Sequence, residues 1–146
     1  MYRQNDKYLN PLATWGCAFV ALHALWESVT GIQISQKKVL EIWIKNWNEK
    51  EIDLESTIKS WQGVLDDFLL VGGPKIVYLG HVLPERIPEP NEEELLLFRR
   101  PGSEHFVYGR YDYGKSQDVV VWDPFENSRT VSEGTIVSKR LFRVEV

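Results

Sequence analysis

The stretch from Cys17 to Val29 has the sequence Cys-Ala-Phe-Val-Ala-Leu-His-Ala-Leu-Trp-Glu-Ser-Val. It contains neither Gly nor Pro, the two residues that most disfavour a helix, and Gly31 follows where a helix C-cap is expected. Apolar residues lie on almost every side of such a helix. The sequence therefore predicts a helix that starts at about Cys17 and is buried on most of its faces.

Two further helices are predicted after this one. Ser35 is a suitable N-cap for a helix that ends at about Trp47. The apolar residues that share one side of it are Val39, Ile42, Trp43 and Trp47. A third helix is predicted over about residues 54–69, and Gly72-Gly73-Pro74 ends the helical part. Its inner face is predicted to consist of Ile58, Trp61, Leu65, Phe68 and Leu69.

The second half of the chain is predicted to form strands. The segments are residues 75–79, 95–99, 105–111, 119–122 and 141–146. The Pro-rich stretch from Pro84 to Pro90 is too short to separate two domains and is interpreted as a loop. Helices followed by strands are typical of an α+β domain with an antiparallel sheet. We expect residues 1–146 to form one such domain.

Composition and charge narrow the class of protein. The chain has 146 residues, of which 43% are apolar and 26% charged, as in an ordinary globular protein. A net charge of −4 and the lack of a basic stripe argue against a nucleic-acid partner. The acidic run Glu92-Glu93-Glu94 is interpreted as a solvated strand entry. With no signal peptide and no membrane span in the sequence, we expect a cytoplasmic protein without a membrane partner.

Cys17, His105 and Asp123 form the candidate site. The chain has one cysteine, so no intrachain disulfide forms, and a thiol at a helix N-terminus is favoured as the thiolate. His105 opens a predicted strand 88 residues later, and Asp123 ends the next strand, 18 residues further on. If these strands are antiparallel neighbours, Asp123 orients the His105 ring. The pattern predicts a nucleophile, a base and an orienting acid.

The sequence resembles one family of enzymes in four features. They are the order Gln–Cys–His–Asp, the Gly-Cys-Ala opening of a buried helix, the His-Phe-Val strand and the following strand that ends in Asp-Pro. The family is the bacteriocin-leader-peptidase-like branch of papain-like cysteine peptidases. The likeness covers residues 4–29 and 104–125 and does not extend to residues 32–100. It implies a papain-like fold and an oxyanion donor upstream of the cysteine. Gln4 is the matching residue, with Asn5 or Asn10 as alternatives.

A structural role is also possible for each of these residues. Cys17 and His105 are also candidates for ordinary core residues, and Asp123 for a cap of the turn at Pro124. His23 lies on the opposite side of its helix from Cys17 and is interpreted as structural, while Trp15 is a candidate for the wall of a substrate groove. The cysteine and the histidines lack metal-ligand spacing, so neither a metal nor another cofactor is expected.

These patterns lead to one main functional expectation. It is a cysteine hydrolase that cleaves a peptide or isopeptide bond, with a peptide or protein as substrate. The same residues would serve a transglutaminase-like acyl transferase. Two non-catalytic functions also fit the sequence. One is a catalytically silent papain-like domain that binds a protein or peptide, and the second is a small α+β interaction protein with no site, in which the three residues would lie apart.

Overall fold

Three helices precede a five-stranded antiparallel sheet in the computed structural model, which describes residues 1–4, 6, 16–52 and 58–145. The helices of the first half are α1 (Cys17–Thr30), α2 (Gln36–Asn48) and α3 (Trp61–Leu69). The strands are β1 (Ile76–Val82), β2 (Glu92–Arg100), β3 (Ser103–Asp112), β4 (Gln117–Trp122) and β5 (Thr135–Val144), and a short helix α4 (Arg129–Glu133) precedes β5. The predicted α+β class with an antiparallel sheet is confirmed.

Helix α1 is the most buried element of the chain, as its sequence predicts. Every residue from Ala18 to Trp26 is buried. Gly31 adopts the left-handed conformation, with φ of 71°, and its N–H donates to the Glu27 carbonyl. A residue with a side chain would be strained there, so the glycine ends the helix cleanly.

The second and third helices differ in how well the sequence predicts them. Ser35 caps α2 by accepting a hydrogen bond from the Lys38 N–H, as expected, but Trp47 is 40% exposed and Asn46 is buried in its place. Helix α3 begins only at Trp61, so the prediction that it includes residues 58–60 is wrong. Residues 54–57 of that prediction lie outside the described residues.

A backbone bridge explains the late start of α3. Ile52 and Ile58 form an isolated antiparallel bridge, and the N–H groups of Lys59 and Ser60 both donate to the Glu51 carbonyl. These hydrogen bonds hold residues 58–60 in a non-helical conformation. The Ser60 side chain then caps α3 by accepting from the Gly63 N–H.

The strand order in the sheet is β1-β5-β2-β3-β4. Strands β3 and β4 are antiparallel neighbours, and in the turn between them the Asp112 carboxylate accepts a hydrogen bond from the Gly114 N–H. The start of β3 therefore lies beside the end of β4. This places the segment that contains His105 close to the segment that follows Trp122.

The sheet packs against helices on both faces. Leu95 and Tyr108 join the main core with α1 and α3, whereas Leu96 and Val107, which point the other way, form a smaller cluster with Val131 of α4. No helix in the described part of the chain has the length and apolar character needed to cross a bilayer.

The acidic run at the start of β2 is not the solvated strand entry that the sequence predicts. Glu94 is only 1% exposed, and its carboxylate lies 3.2 Å from the ammonium of Lys139, which is equally buried. Lys139 also pairs with Asp118 at 2.9 Å. The sheet thus buries a lysine between two carboxylates.

Candidate active site

Cys17 is the first residue of α1 and follows Gly16 directly. No side chain caps this end of the helix, so the positive end of the helix dipole lies beside the thiol. Cys17 is partly exposed, whereas the residues after it are buried. Cys17 is therefore the one residue of this helical turn that is not fully packed into the core.

His105 and Asp123 meet where β3 begins and β4 ends. His105 Nε2 lies 2.5 Å from Asp123 Oδ1, and both side chains are largely buried. The same carboxylate oxygen accepts a hydrogen bond of 2.8 Å from the Phe125 N–H. Asp123 therefore caps the turn after Pro124 and also orients the His105 ring, so the two roles considered from the sequence coexist.

The Cys17 thiol is the second neighbour that affects the pKa of His105. Burial alone would lower the pKa of His105, but hydrogen bonds to Asp123 and Cys17 and the charges of both partners outweigh it and raise the pKa to about 9. Since Nε2 is occupied by Asp123, Nδ1 is the nitrogen left for the thiol. The structure thus brings together the three residues that the sequence singles out, and an arrangement in which they lie apart does not fit this geometry.

The N-terminal segment holds Gln4 near these residues. The Gln4 N–H donates to the Pro124 carbonyl at 2.9 Å, and the Trp122 indole N–H donates to the Tyr2 carbonyl at 2.9 Å. The Arg3 guanidinium stacks over the Trp122 ring at 4.2 Å. Gln4 is 3% exposed. Backbone bonds to the residues around Asp123 therefore fix Gln4, while Asn5, Asn10 and Trp15 lie outside the described residues.

A cleft of about 400 Å³ opens on one side of His105. Gln4 and His105 line it together with residues that the sequence analysis did not single out: Arg100, Ser103, Phe125 and Thr130. The sequence could have indicated Phe125 as a neighbour of the site, because it lies two residues after Asp123 in the same turn. No sequence pattern indicates the other three residues. Arg100 and Ser103 flank the β2–β3 turn, and Thr130 lies in α4, a helix too short to show apolar periodicity.

The remaining histidines stay outside the site. His23 is buried among the rings of Tyr2, Trp26 and Phe68, which agrees with the structural interpretation. His81 lies on β1, a strand at the far edge of the sheet from β4. Within the described residues, no three His, Cys, Asp or Glu side chains are placed to hold a metal ion together.

Comparisons with known proteins give no relative from which a role could be transferred. The chain matches no family model, no curated protein and no solved structure.

Proposed function

We propose that this protein is a papain-like cysteine hydrolase that cleaves a peptide or isopeptide bond. The observation that carries the proposal is the hydrogen bond between His105 and Asp123, together with the Cys17 thiol, which lies at a helix N-terminus and raises the pKa of the same ring. A base next to the nucleophile and an acid behind the base is the arrangement that nucleophilic catalysis requires.

Acylation begins with the Cys17 thiolate and the His105 imidazolium. The sulfur attacks the substrate carbonyl carbon, and the negative charge that develops on the carbonyl oxygen needs hydrogen-bond donors. The Cys17 backbone N–H, which has no partner within its own helix, is one donor, and the Gln4 side-chain amide is the second. His105 then gives its proton to the leaving amine, the C–N bond breaks and a thioester remains on Cys17.

Deacylation uses the same residues in the reverse direction. His105, now neutral, takes a proton from a water molecule that attacks the thioester carbonyl. The C–S bond breaks, the acid product leaves, and the proton on His105 restores the starting state with the thiolate. An amine in place of water would give acyl transfer, so the acceptor alone separates the hydrolase from a transglutaminase-like enzyme.

Alkylation of the thiol is the first test of the proposal. Cys17 is the only cysteine in the chain, so one carbamidomethyl group in an intact mass spectrum reports on it without ambiguity. We expect iodoacetamide to label Cys17 rapidly at pH 6, where an ordinary thiol is almost fully protonated and reacts slowly. The His105→Ala variant should be labelled much more slowly at the same pH.

Turnover is the second test. We expect the wild-type protein to react with a fluorogenic acyl-thiol substrate and to give a burst of acyl-enzyme. Cys17→Ala should abolish turnover, and thermal melts should show that this variant still folds. Normal turnover by Cys17→Ala would exclude Cys17 as the nucleophile. Slow alkylation together with no turnover on any acyl probe would favour the catalytically silent binding domain.

A further inference from the structure

The cleft beside His105 offers space for the leaving-group part of a substrate, since His105 lines it and Cys17 does not. In the proposed reaction His105 donates a proton to the leaving amine, so this amine must lie within hydrogen-bond reach of the ring. The part of the substrate that continues from the amine then extends past His105, away from Cys17. The cleft of about 400 Å³ is the space available there.

The charges on the arginine and glutamate side chains of the cleft wall do not cancel one another. Arg100 and Arg129 both line it, and both pair with the same carboxylate, Glu133. Glu104 also lines the cleft, but Arg99 neutralises it at 2.6 Å. With His105 and its partners left aside, the three arginines and two glutamates carry one net positive charge, and this favours a negatively charged group beside Arg100.

Arg100 is the residue whose hydrogen-bonding capacity is least used. Its guanidinium lies 3.7 Å from Glu133, which is longer than a hydrogen bond. Its Nε atom is shielded from solvent and has no hydrogen-bond partner among residues 1–4, 6, 16–52 and 58–145. The Arg100 side chain as a whole is 29% exposed, so its other guanidinium N–H groups are the ones that a ligand in the cleft can reach. Guanidinium binds carboxylates in a two-pronged geometry that suits this role.

The rest of the cleft wall suits a peptide. Ser103 and Thr130 form a hydroxyl pair at 2.6 Å, and Phe125 presents an aromatic ring that is 41% exposed. The two hydroxyl groups can form hydrogen bonds with the backbone of an extended peptide, and the Phe125 ring can pack against the aliphatic part of one of its side chains.

From these observations we infer that the cleft selects substrates with a carboxylate on the leaving-group side of the scissile bond, and that Arg100 binds this carboxylate. The inference rests on the proposed function and names its substrate class. The carboxylate has two sources, an Asp or Glu side chain or the C-terminus of a short leaving peptide. Arg100 is thus a specificity residue.

Acyl transfer to dipeptide amines tests the inference without knowledge of the natural substrate. An amine acceptor binds where the leaving amine was bound, because acylation and aminolysis are the same step in opposite directions. p-Nitrophenyl acetate acylates Cys17, and an added amine then attacks the acetyl thioester. The C–S bond breaks, a C–N bond forms, and His105 takes the amine proton, which restores the imidazolium beside the Cys17 thiolate. The N-acetyl dipeptide is measured against acetate by mass spectrometry.

Four acceptors separate the two sources of the carboxylate. Gly-Glu amide has an acidic side chain only, free Gly-Gln has a terminal carboxylate only, Gly-Gln amide has neither, and Gly-Lys amide has the opposite charge. We expect at least one acidic acceptor to exceed Gly-Gln amide by about tenfold, as for a hydrogen bond between charged groups. Gly-Lys amide should be the poorest.

Variants connect the preference to Arg100. Arg100→Gln should reduce the preference for the acidic acceptor to about twofold or less. Arg100→Lys keeps the charge and should retain part of the preference. It replaces the Gln variant in the test if that variant fails to fold. Arg143→Gln is the matched control, because Arg143 lies on β5 and pairs with Glu145, outside the cleft. A normal acetyl burst with equal use of all four acceptors would overturn the inference and leave the hydrolase proposal intact.

A binding measurement decides the matter if no burst is seen. The Cys17→Ala variant is titrated with Gly-Glu amide and with Gly-Gln amide, and the amide shifts of residues lining the cleft are followed by NMR. Preferential binding of an acidic dipeptide that disappears in Cys17→Ala/Arg100→Gln supports the cleft assignment even if the hydrolase proposal has failed. No difference between the dipeptides overturns the assignment.

Discussion

Asp123 accepts two hydrogen bonds on one oxygen, from the His105 ring and from the Phe125 N–H. The bond to Phe125 fixes the carboxylate in its turn, so His105 meets an acceptor whose position is already set. The bond between His105 and Asp123 leaves the other ring nitrogen available to Cys17. At the scale of single residues, the turn therefore positions Asp123, and Asp123 in turn orients the His105 ring toward Cys17.

The pH dependence of activity should depend on Asp123. Burial lowers the pKa of His105, but Asp123 and Cys17 together raise it to about 9. Since the reactive form needs the imidazolium, kcat/KM should fall as the pH rises through about 9. Asp123→Asn removes one of the groups that raise this pKa, so the alkaline limb should move to lower pH and the plateau should fall as well. The profile of kcat/KM against pH measures both effects.

Asp112→Asn provides the control for that experiment. Asp112 lies at the other end of β3, where its carboxylate accepts from the Gly114 N–H in the turn to β4. Its replacement should leave the alkaline limb in place. An alkaline limb at the same pH in wild type and in Asp123→Asn would show that Asp123 does not set the His105 pKa.

Gln4 should act in the transition state. It is buried, lines the cleft with His105 and is held by a backbone bond to Pro124. Loss of one oxyanion donor lowers kcat by about 10²–10³-fold in other enzymes, so Gln4→Ala should lower kcat by a factor of this order with little change in KM. Gln117→Ala, an exposed glutamine on β4, is the matched control. Unchanged turnover by Gln4→Ala would remove it from the site.

At the scale of elements, the sequence predicts a helix or strand well where the interactions that fix it involve residues close to it in the chain. The caps and apolar patterns of α1 and α2 lie within a few residues of each helix, and the adjacency of β3 and β4 follows from the turn between them. The start of α3 depends instead on the bridge between Ile52 and Ile58, and the burial of Glu94 depends on Lys139, 45 residues away. Contacts of this kind produce no periodic pattern in the sequence, so neither the start of α3 nor the burial of Glu94 could be predicted from it.

The cluster of Glu94, Asp118 and Lys139 links three strands of the sheet. Glu94 lies on β2, Asp118 on β4 and Lys139 on β5, and the Lys139 ammonium also donates to the Arg86 carbonyl at 2.9 Å. Burial, with a smaller effect of the neighbouring Asp118, raises the pKa of Glu94 to about 8. Glu94 therefore takes up a proton far more readily than an ordinary carboxyl group, and Asp118 is the closer partner of Lys139, at 2.9 Å against 3.2 Å for Glu94.

This arrangement predicts unequal effects of two substitutions. Lys139→Met leaves Asp118 and Glu94 without their cation and should lower the free energy of unfolding by about 3–5 kcal/mol at pH 7. Glu94→Gln resembles the protonated acid in shape and charge and should cost about 1 kcal/mol or less. Urea unfolding followed by tryptophan fluorescence measures both. Lys75→Met, at an exposed lysine, is the control, and equal stability of the two Lys→Met variants would contradict a role for the buried ammonium.

At the scale of the whole molecule, the site lies where the helical part meets the sheet. Cys17 comes from α1, and His105 and Asp123 come from the β3–β4 edge, so their contact depends on how these layers pack. The rings of Trp61, Tyr78 and Phe142 join α3 to β1 and β5. The sequence predicts which residues belong to the site because the order and spacing of the elements constrain them. It does not predict the cleft, whose walls come from a turn and from α4.

His23 connects the stability of this core to pH. It is 1% exposed and stacks on Tyr2 at 5.7 Å with the rings nearly parallel. Burial, assisted by the positive charge of the amino terminus, lowers the pKa of His23 to about 4 from 6.5. The unfolded chain therefore binds a proton more readily than the folded chain does between these values. The contribution of His23 to stability is complete above about pH 6.5 and is lost as the pH falls towards 4, by about 3 kcal/mol in all.

Replacement of His23 by Phe should remove this acid-dependent loss. Phe is similar in shape, cannot be protonated and suits a pocket made of Tyr2, Trp26 and Phe68. The free energy of unfolding from urea titrations should therefore fall less between about pH 7 and pH 4 in His23→Phe than in wild type. His105 does not mimic the effect, because its raised pKa lowers stability only as the pH rises from about 6.5 through 9. Burial and the nearby Arg140 also lower the pKa of His81, but this histidine is exposed, so His81→Phe should remove much less of the acid-dependent loss than His23→Phe does. Parallel curves for His23→Phe and wild type would mean that His23 is not held neutral by burial.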